Sequence, residues 1–209
     1  TEGDICSELT KPTDDRVRVL AHAMYSGMSI ESIYQQSRID RWFLGKLANI
    51  CDVHKELRDG CRPPLANTMR LAKRLGLDDA SVAESLGVDE STAWSIRDTL
   101  GVRPVSKRID TLAGEYPSKT NYFYTTYTGT HSDECVKRSG NAKRVIVLGS
   151  GKYRIGSSVE FDYCAVKCTE YLKQLGYHTI MINYNPETMS TDYDNSDQLY
   201  FEQLTFESE

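Results

Sequence analysis

The residues best suited to chemistry lie in two short stretches of the 209-residue chain. The first is Gly149-Ser-Gly151-Lys-Tyr-Arg154-Ile-Gly156-Ser157-Ser158, followed closely by Glu160-Phe-Asp162. The second is Asn185-Pro-Glu187-Thr188. A glycine-rich loop between a strand and a helix points backbone N–H groups at whatever lies above the strand ends, which suits a phosphate or a carboxylate. Arg154 adds a guanidinium that can grip such an anion through paired hydrogen bonds, or can instead tie the loop to Glu187. Glu160 and Asp162 either line the site or serve the positive end of the helix dipole.

Two familiar phosphate motifs fail on inspection. A P-loop needs Ser or Thr after Gly-Lys, and Gly151-Lys152 is followed by Tyr153. A dinucleotide fingerprint needs its third glycine earlier than Gly156 and a carboxylate for the ribose, whereas the next strand ends near Asn183 and Asn185. A nicotinamide oxidoreductase is therefore disfavoured. Metal binding finds no support either, since His22, His54, His131 and His178 are scattered and no Cys-x-x-Cys occurs among Cys6, Cys51, Cys61, Cys135, Cys164 and Cys168. The cysteines read as reduced thiols, with Cys164 and Cys168 one turn apart in a helix core.

The elements that must position these residues follow from the hydrophobic pattern. Lys143-Arg-Val-Ile-Val-Leu is a short apolar run typical of a buried parallel strand. A helix follows the loop, with Val159, Cys164, Val166, Cys168, Leu172 and Leu175 as its apolar positions and Gly176 as its stop. Thr179-Ile-Met-Ile-Asn is a second strand and Gln198-Leu-Tyr-Phe a short third. Together they predict a βαβ start of doubly wound type, whose strands' carboxyl ends are the usual ligand position.

Upstream, residues 13 to 101 read as helical throughout. Thr13 caps a helix with Val17, Leu20, Ala21 and Met24 on one face. Ser29 and Asp40 cap the next two, and Pro63-Pro64 precedes a helix over 65–75. Residues 78–97 form two short helices joined at Gly87. That pair invites a helix-turn-helix regulator with a small-ligand sensor domain as the alternative function, although the second helix opens Asp89-Glu90 and offers only Arg97 as a cation. Trp42, Phe43 and Trp94 are expected in the core, the other possibility being an association face. Thr120 to Tyr127 reads as an extended segment pressed on its neighbours, and 132–141 as a boundary.

The expected fold is thus α plus α/β: an N-terminal all-helical bundle (1–103), an extended exit segment and linker (104–141), and a small, incomplete parallel-sheet βαβ domain of Rossmann-like type (142–209). Hydrophobic residues make up 39% and charged residues 26%, as in ordinary globular proteins, and no apolar run approaches a membrane span. A net charge of −5 argues against nucleic acid as a partner. The opening Thr-Glu-Gly-Asp-Ile-Cys has neither an initiator Met nor a targeting pattern, which suggests an internal piece of something longer.

The run from Val147 through the glycine-rich loop to Val166, with Asn-Tyr-Asn-Pro-Glu-Thr-Met-Ser-Thr-Asp-Tyr-Asp from Asn183, closely resembles the start of the second synthetase half of carbamoyl phosphate synthetase. The Ser157-Ser158 pair and the Tyr-Asn-Pro-Glu-Thr wording are similar to its eukaryotic, pyrimidine-pathway type. Thr13-Asp-Asp-Arg, Ile39-Asp-Arg-Trp-Phe-Leu, Ile109-Asp-Thr-Leu-Ala-Gly-Glu-Tyr-Pro and Thr120 to Tyr127 resemble the oligomerisation domain and its exit. The resemblance implies a cytoplasmic parent enzyme that makes carbamoyl phosphate from glutamine, bicarbonate and two ATP. Carbamate passes through a tunnel to a second phosphorylating site. It implies tunnel or substrate-lining roles for Gly149, Gly151, Arg154, Gly156, Ser157 and Ser158, and a site floor of Asn185, Glu187 and Thr188. ATP with Mg or Mn would sit on ATP-grasp domains outside this piece, so the fragment would bind no cofactor and be inactive alone. Its partners would be the remaining domains of the same polypeptide, including both ATP-grasp halves and the glutaminase, with possible self-association and no nucleic acid or membrane. Lys152 occupies a position that looks apolar in relatives.

Overall fold

The computed structural model describes residues 2–133, 143–149 and 160–207. They form two compact units, 1–102 and 103–209. No described helix is long and apolar enough to cross a membrane.

The first unit is helical: α1 (Glu2–Leu9), α2 (Arg16–Tyr25), α3 (Ile30–Ser37), α4 (Arg41–Asp59), α5 (Ala66–Arg74), α6 (Asp79–Leu86) and α7 (Glu90–Thr99). Short polar side chains start four of these by accepting the first free N–H groups. Ser29 accepts from Ser32, Asp40 from Trp42, Asp78 from Ser81 and Asp89 from Thr92. These bonds stabilise the charged carboxylates, so Asp78 and Asp89 titrate below the usual range; the Ser81 and Ser91 side chains respectively are the largest causes. Between α6 and α7 the chain reverses at Gly87, whose φ of 67° suits a residue without Cβ.

Two sets of apolar side chains bury these helices. Leu9, Leu20, Ala23, Met24, Ile33, Leu44 and Cys51 form one cluster from α1 to the middle of α4. Val53 and Leu57 continue α4's buried face, and α5 to α7 bury Met69, Ala72, Val82, Ala83, Leu86 and Ala93. The long α4 packs on both α2 and α3 on one side of this division and α5 and α6 on the other. Between α3 and α4, Arg41 pairs with Glu31 at 2.7 Å and lies 3.6 Å from the centre of the Tyr34 ring. The guanidinium, and then Gln35, pull the Glu31 carboxyl down to about 2. Both partners are exposed, so this pair contributes little stability.

A charged group lies at the centre of α5–α7. Asp79, fully buried, accepts from Lys73 Nζ at 2.9 Å and from Arg97 Nη2 at 2.8 Å, and Arg97 also donates to the Val102 carbonyl. Arg97 is the cation that a reading helix would offer to DNA. It is turned inward and occupied by Asp79, which removes the chemical basis of the helix-turn-helix alternative.

Among the described residues the second unit is a five-stranded sheet with one α-helix. Its elements are β1 (Val105–Arg108), β2 (Tyr122–Thr126), β3 (Arg144–Leu148), α8 (Glu160–Gln174), β4 (His178–Asn183), a 3-10 turn at Met189–Thr191, and β5 (Gln198–Phe201). The strand order is β1-β2-β5-β4-β3, antiparallel at β1–β2 and parallel elsewhere. Arg144 pairs with His178 and Leu148 with Ile182, so β3 and β4 run together to the same end. Val147, Met181 and Leu199 face Ala165 of α8, with Tyr122, Leu172 and Phe201 at the margin of this core.

Several expectations need correction. The stretch around Tyr122–Thr126 is extended, but it is a strand of this sheet and not a strap over neighbouring domains; with β1 it widens a sheet expected to hold three strands. Cys164 and Cys168 are exposed, because α8 turns Asp162, Ala165, Val166 and Thr169 inward. Trp42, Phe43 and Trp94 are also exposed, at 63%, 61% and 41%. Trp42 and Phe43 pack edge-to-face on one another instead of in the core. The residue that precedes α2 is Asp15, not Thr13, and Val17 faces solvent. Helix α1 was not anticipated. Most of the 132–141 boundary lies outside the described residues.

Replacing Asp79 leaves two buried cations short of their shared carboxylate. Asp79→Ala should cost about 3–5 kcal/mol by urea unfolding of the 209-residue chain. Asp15→Ala, which removes the exposed Arg18 partner, should change stability by less than about 1 kcal/mol. Similar losses for the two would contradict the buried role.

Candidate functional site

The carboxyl ends of β3 and β4 meet at a polar corner. After Leu148 the Gly149 N–H donates to the Ile182 carbonyl at 2.8 Å. A Cβ at Gly149 would stand 2.4 Å from Asn183 Cγ and 2.6 Å from its Nδ2. Glycine is therefore required by close packing on the last residue of β4. Gly151, Lys152, Arg154, Gly156, Ser157 and Ser158 lie outside the described residues, as does the anion-binding geometry expected of their loop.

Asn183 is fully buried, and its side chain organises the turn that follows. Nδ2 donates to Ser190 Oγ at 2.9 Å, and Oδ1 accepts from the Asn185 N–H at 3.2 Å. Asn185 repeats the device one step on, its Oδ1 accepting from the Glu187 N–H at 3.0 Å. Such Asx bonds let a short polar side chain substitute for the backbone of a regular turn. Pro186 between them has no N–H to satisfy.

Thr188 then caps the 3-10 turn. Its N–H donates to Thr191 Oγ1 at 3.3 Å, while the Thr191 hydroxyl and N–H both donate to the Thr188 carbonyl, at 2.7 and 3.0 Å. From α8, Asp162 reaches the same turn: its Oδ2 accepts from Thr188 Oγ1 at 2.7 Å and from the Ser190 N–H at 2.6 Å. Asp162 is 2% exposed. It is a clamp between helix and turn, and not simply a charge placed at a helix start.

Asn185, Glu187 and Thr188 are thus brought to one corner with Gly149. Asn185 and Thr188 are half-buried and Glu187 is exposed. Among the described residues no hydrogen bond or ion pair holds the Glu187 carboxylate. The backbone donors of Asn185, Glu187 and Thr188 are all engaged within the corner, so what it offers outward is the Glu187 carboxylate and the side-chain amide N–H groups of Asn185. Its described residues pair no acid with a base and present no activated nucleophile, and they group no three His, Cys, Asp or Glu side chains that could hold a metal. Binding and orientation are what the described residues of this corner are equipped for.

Sequence reasoning missed Asn183, Ser190 and Thr191 as parts of the site. The available signal was polar residues at the end of an otherwise apolar strand, where a buried amide must find partners. The Gly149–Asn183 contact has a measurable consequence. Gly149→Ala should destabilise the 209-residue chain by about 1–3 kcal/mol through overpacking. In a double-mutant cycle with Asn183→Ala the two losses should be less than additive; strict additivity would show that the two sites do not press on each other.

Comparison with known proteins agrees with this organisation. The model of the carbamoyl phosphate synthetase large-chain oligomerisation domain matches residues 1–101, and that of the carbamoyl phosphate synthase preATP-grasp domain matches residues 141–208. The arginine-specific carbamoyl phosphate synthase large chain of Cutaneotrichosporon cutaneum is 48% identical over 206 residues, 98% of this chain and 17% of that protein. Multifunctional protein pyr1-3 of Dictyostelium discoideum is 45% identical over 96% of this chain and 9% of its own length. Multifunctional protein ura1 of Schizosaccharomyces pombe is 45% identical over 98% of this chain and likewise 9% of its own. The chain thus spans between 9% and 17% of these relatives. With a helical unit and a preATP-grasp sheet joined in that order, the chain belongs to the carbamoyl phosphate synthetase large-chain family.

Proposed function

We propose that this chain serves within a glutamine-dependent carbamoyl phosphate synthetase, where its helical unit supplies association contacts and its sheet unit forms one wall of the carbamate-phosphorylating site at the tunnel end. The observation that carries the second part is the corner at the carboxyl end of β4, which holds Asn185, Glu187 and Thr188 in place and leaves the Glu187 carboxylate without a partner among the described residues. Carbamate has an amino group that donates and a carboxylate that accepts. A free carboxylate at the floor suits the amino end, and Arg154 in the loop after Gly149 suits the other. Gly149, Gly151, Gly156, Ser157 and Ser158 complete this wall on the same reading.

The proposed parent makes carbamoyl phosphate from glutamine, bicarbonate and two ATP in the cytoplasm. On this reading ATP and its magnesium or manganese sit on the ATP-grasp domains and not on this chain. The partners are those domains and the glutaminase. We assign residues 1–103 to the oligomerisation domain, 104–141 to an exit segment that also lends two strands to the sheet, and 142–209 to the preATP-grasp domain. By itself the piece is expected to synthesise nothing.

The association role draws on the exposed Trp42–Phe43 pair, since aromatic side chains carry much of the energy of protein contacts. The 209-residue chain should sediment as a concentration-dependent oligomer, and Trp42→Ser with Phe43→Ser should weaken that association at least about tenfold, roughly 1.4 kcal/mol. A monomer at every concentration would remove the scaffold role. For the site, Glu187→Ala in the full-length parent should lower carbamoyl phosphate synthesis at least about tenfold. Bicarbonate-dependent ATP hydrolysis, the work of the first half, should change little. Unimpaired synthesis would refute the floor assignment.

A further inference from the structure

A continuous run of hydrogen bonds connects α8 with Glu187. Asp162 Oδ2 accepts from Ser190 N–H and Thr188 Oγ1, Ser190 Oγ accepts from Asn183 Nδ2, Asn183 Oδ1 accepts from Asn185 N–H, and Asn185 Oδ1 accepts from Glu187 N–H. No helix or strand covers residues 184 to 188, so their shape depends on these side chains. Asp162 is the only charged member of the run apart from Glu187 itself. Its two accepted bonds, at 2.7 and 2.6 Å, are short and charge-assisted in a site nearly closed to water. A carboxylate that only complemented the helix dipole would have no need to reach residues 26 and 28 positions away.

We infer that Asp162 is a positioning residue for the carbamate-phosphorylating site. Through Thr188 and Ser190 it sets where Asn185 and Glu187 stand, while touching no substrate itself. This rests on the reading of Asn185, Glu187 and Thr188 as the site floor. The partner of Asp162 Oδ2 is a hydroxyl and an N–H, both donors, so an amide oxygen can take its place. Oδ1 is buried and has no hydrogen-bond partner among the described residues, leaving a position for the amide nitrogen. Asp162→Asn therefore keeps the clamp in weakened form, whereas Asp162→Ala abolishes it. Thr188→Ser keeps the hydroxyl, and Thr188→Val removes it.

The test uses the full-length parent enzyme and two reactions. Run backwards, the second phosphorylation converts carbamoyl phosphate and ADP into carbamate and ATP; bicarbonate-dependent ATP hydrolysis reports the first half. Asp162→Ala should lower kcat/KM for carbamoyl phosphate by ~10- to 100-fold, in the range of lost supporting-shell contacts. The KM for ADP and the first-half hydrolysis should both stay within about twofold, since neither depends on this corner. Asp162→Asn should recover most of the loss, and Thr188→Ser should retain the activity that Thr188→Val forfeits. A parallel fall in both reactions, or no fall in either, would overturn the inference. Glu187→Ala separates the two levels of the argument. If it is silent, the floor reading fails and the inference with it; if it is impaired while Asp162→Ala is not, the positioning role alone is wrong.

Discussion

The fully buried Asn183 amide is the constraint on which the second unit's functional end depends. An amide enclosed at the end of an apolar strand costs about 1–3 kcal/mol for each group left unsatisfied, so the chain after β4 must bring partners back to it. Ser190 and the Asn185 N–H are those partners. The requirement explains the tight return from 184 to 191, and through Ser190 it brings the 3-10 turn under Asp162. It also explains why β3 is followed by glycine, because any side chain at 149 would occupy the space of the amide.

Both units solve a similar problem in the same way. Short elements with little apolar area are joined by one buried aspartate that reaches across sequence: Asp79 to Lys73 and Arg97, Asp162 to Thr188 and Ser190. Such groups add little net stability over an apolar replacement, since desolvation offsets most of the attraction. Their effect is to make alternative packings costly. For α6 and α7 that fixes a helical pair; for α8 and the turn it fixes the attitude of residues proposed to meet a substrate.

Much of this was legible in the residues. The caps Ser29 and Asp40 announce helix starts by type alone, and the apolar runs at Arg144–Leu148 and His178–Asn183 announce strands, although β3 is not buried as expected: it lies at the edge of the sheet with Ile146 and Leu148 exposed. Gly149 and the Asn-Pro-Glu-Thr stretch follow β3 and β4 directly, where the apolar runs end. What failed needed tertiary information. Helix α8 carries apolar or weakly polar residues on two faces, so spacing could not say whether Cys164 and Cys168 or Ala165 and Val166 turn inward. Strand β2 pairs with β5 across a separation that no local pattern reports, Tyr122 beside Leu199. Asp162 looked like a dipole cap because its true partners lie on another element.

The direction of the hydrogen bonds at the corner limits what it can contribute to catalysis. The N–H groups of Asn185, Glu187 and Thr188 are all donated inward, to Asn183, Asn185 and Thr191, and Pro186 has none. The backbone of the floor therefore has no N–H free for an oxyanion, while the side-chain amide of Asn185, whose Oδ1 accepts from the Glu187 N–H, keeps its N–H groups as donors. On the proposed reading it meets the amino end of carbamate through Glu187. On the same reading the Arg154 loop and the ATP-grasp domain would meet the charge that develops on the carboxylate and the transferred phosphoryl group. On that reading Glu187 orients the substrate by its nitrogen, which turns the carboxylate oxygen toward the phosphoryl donor.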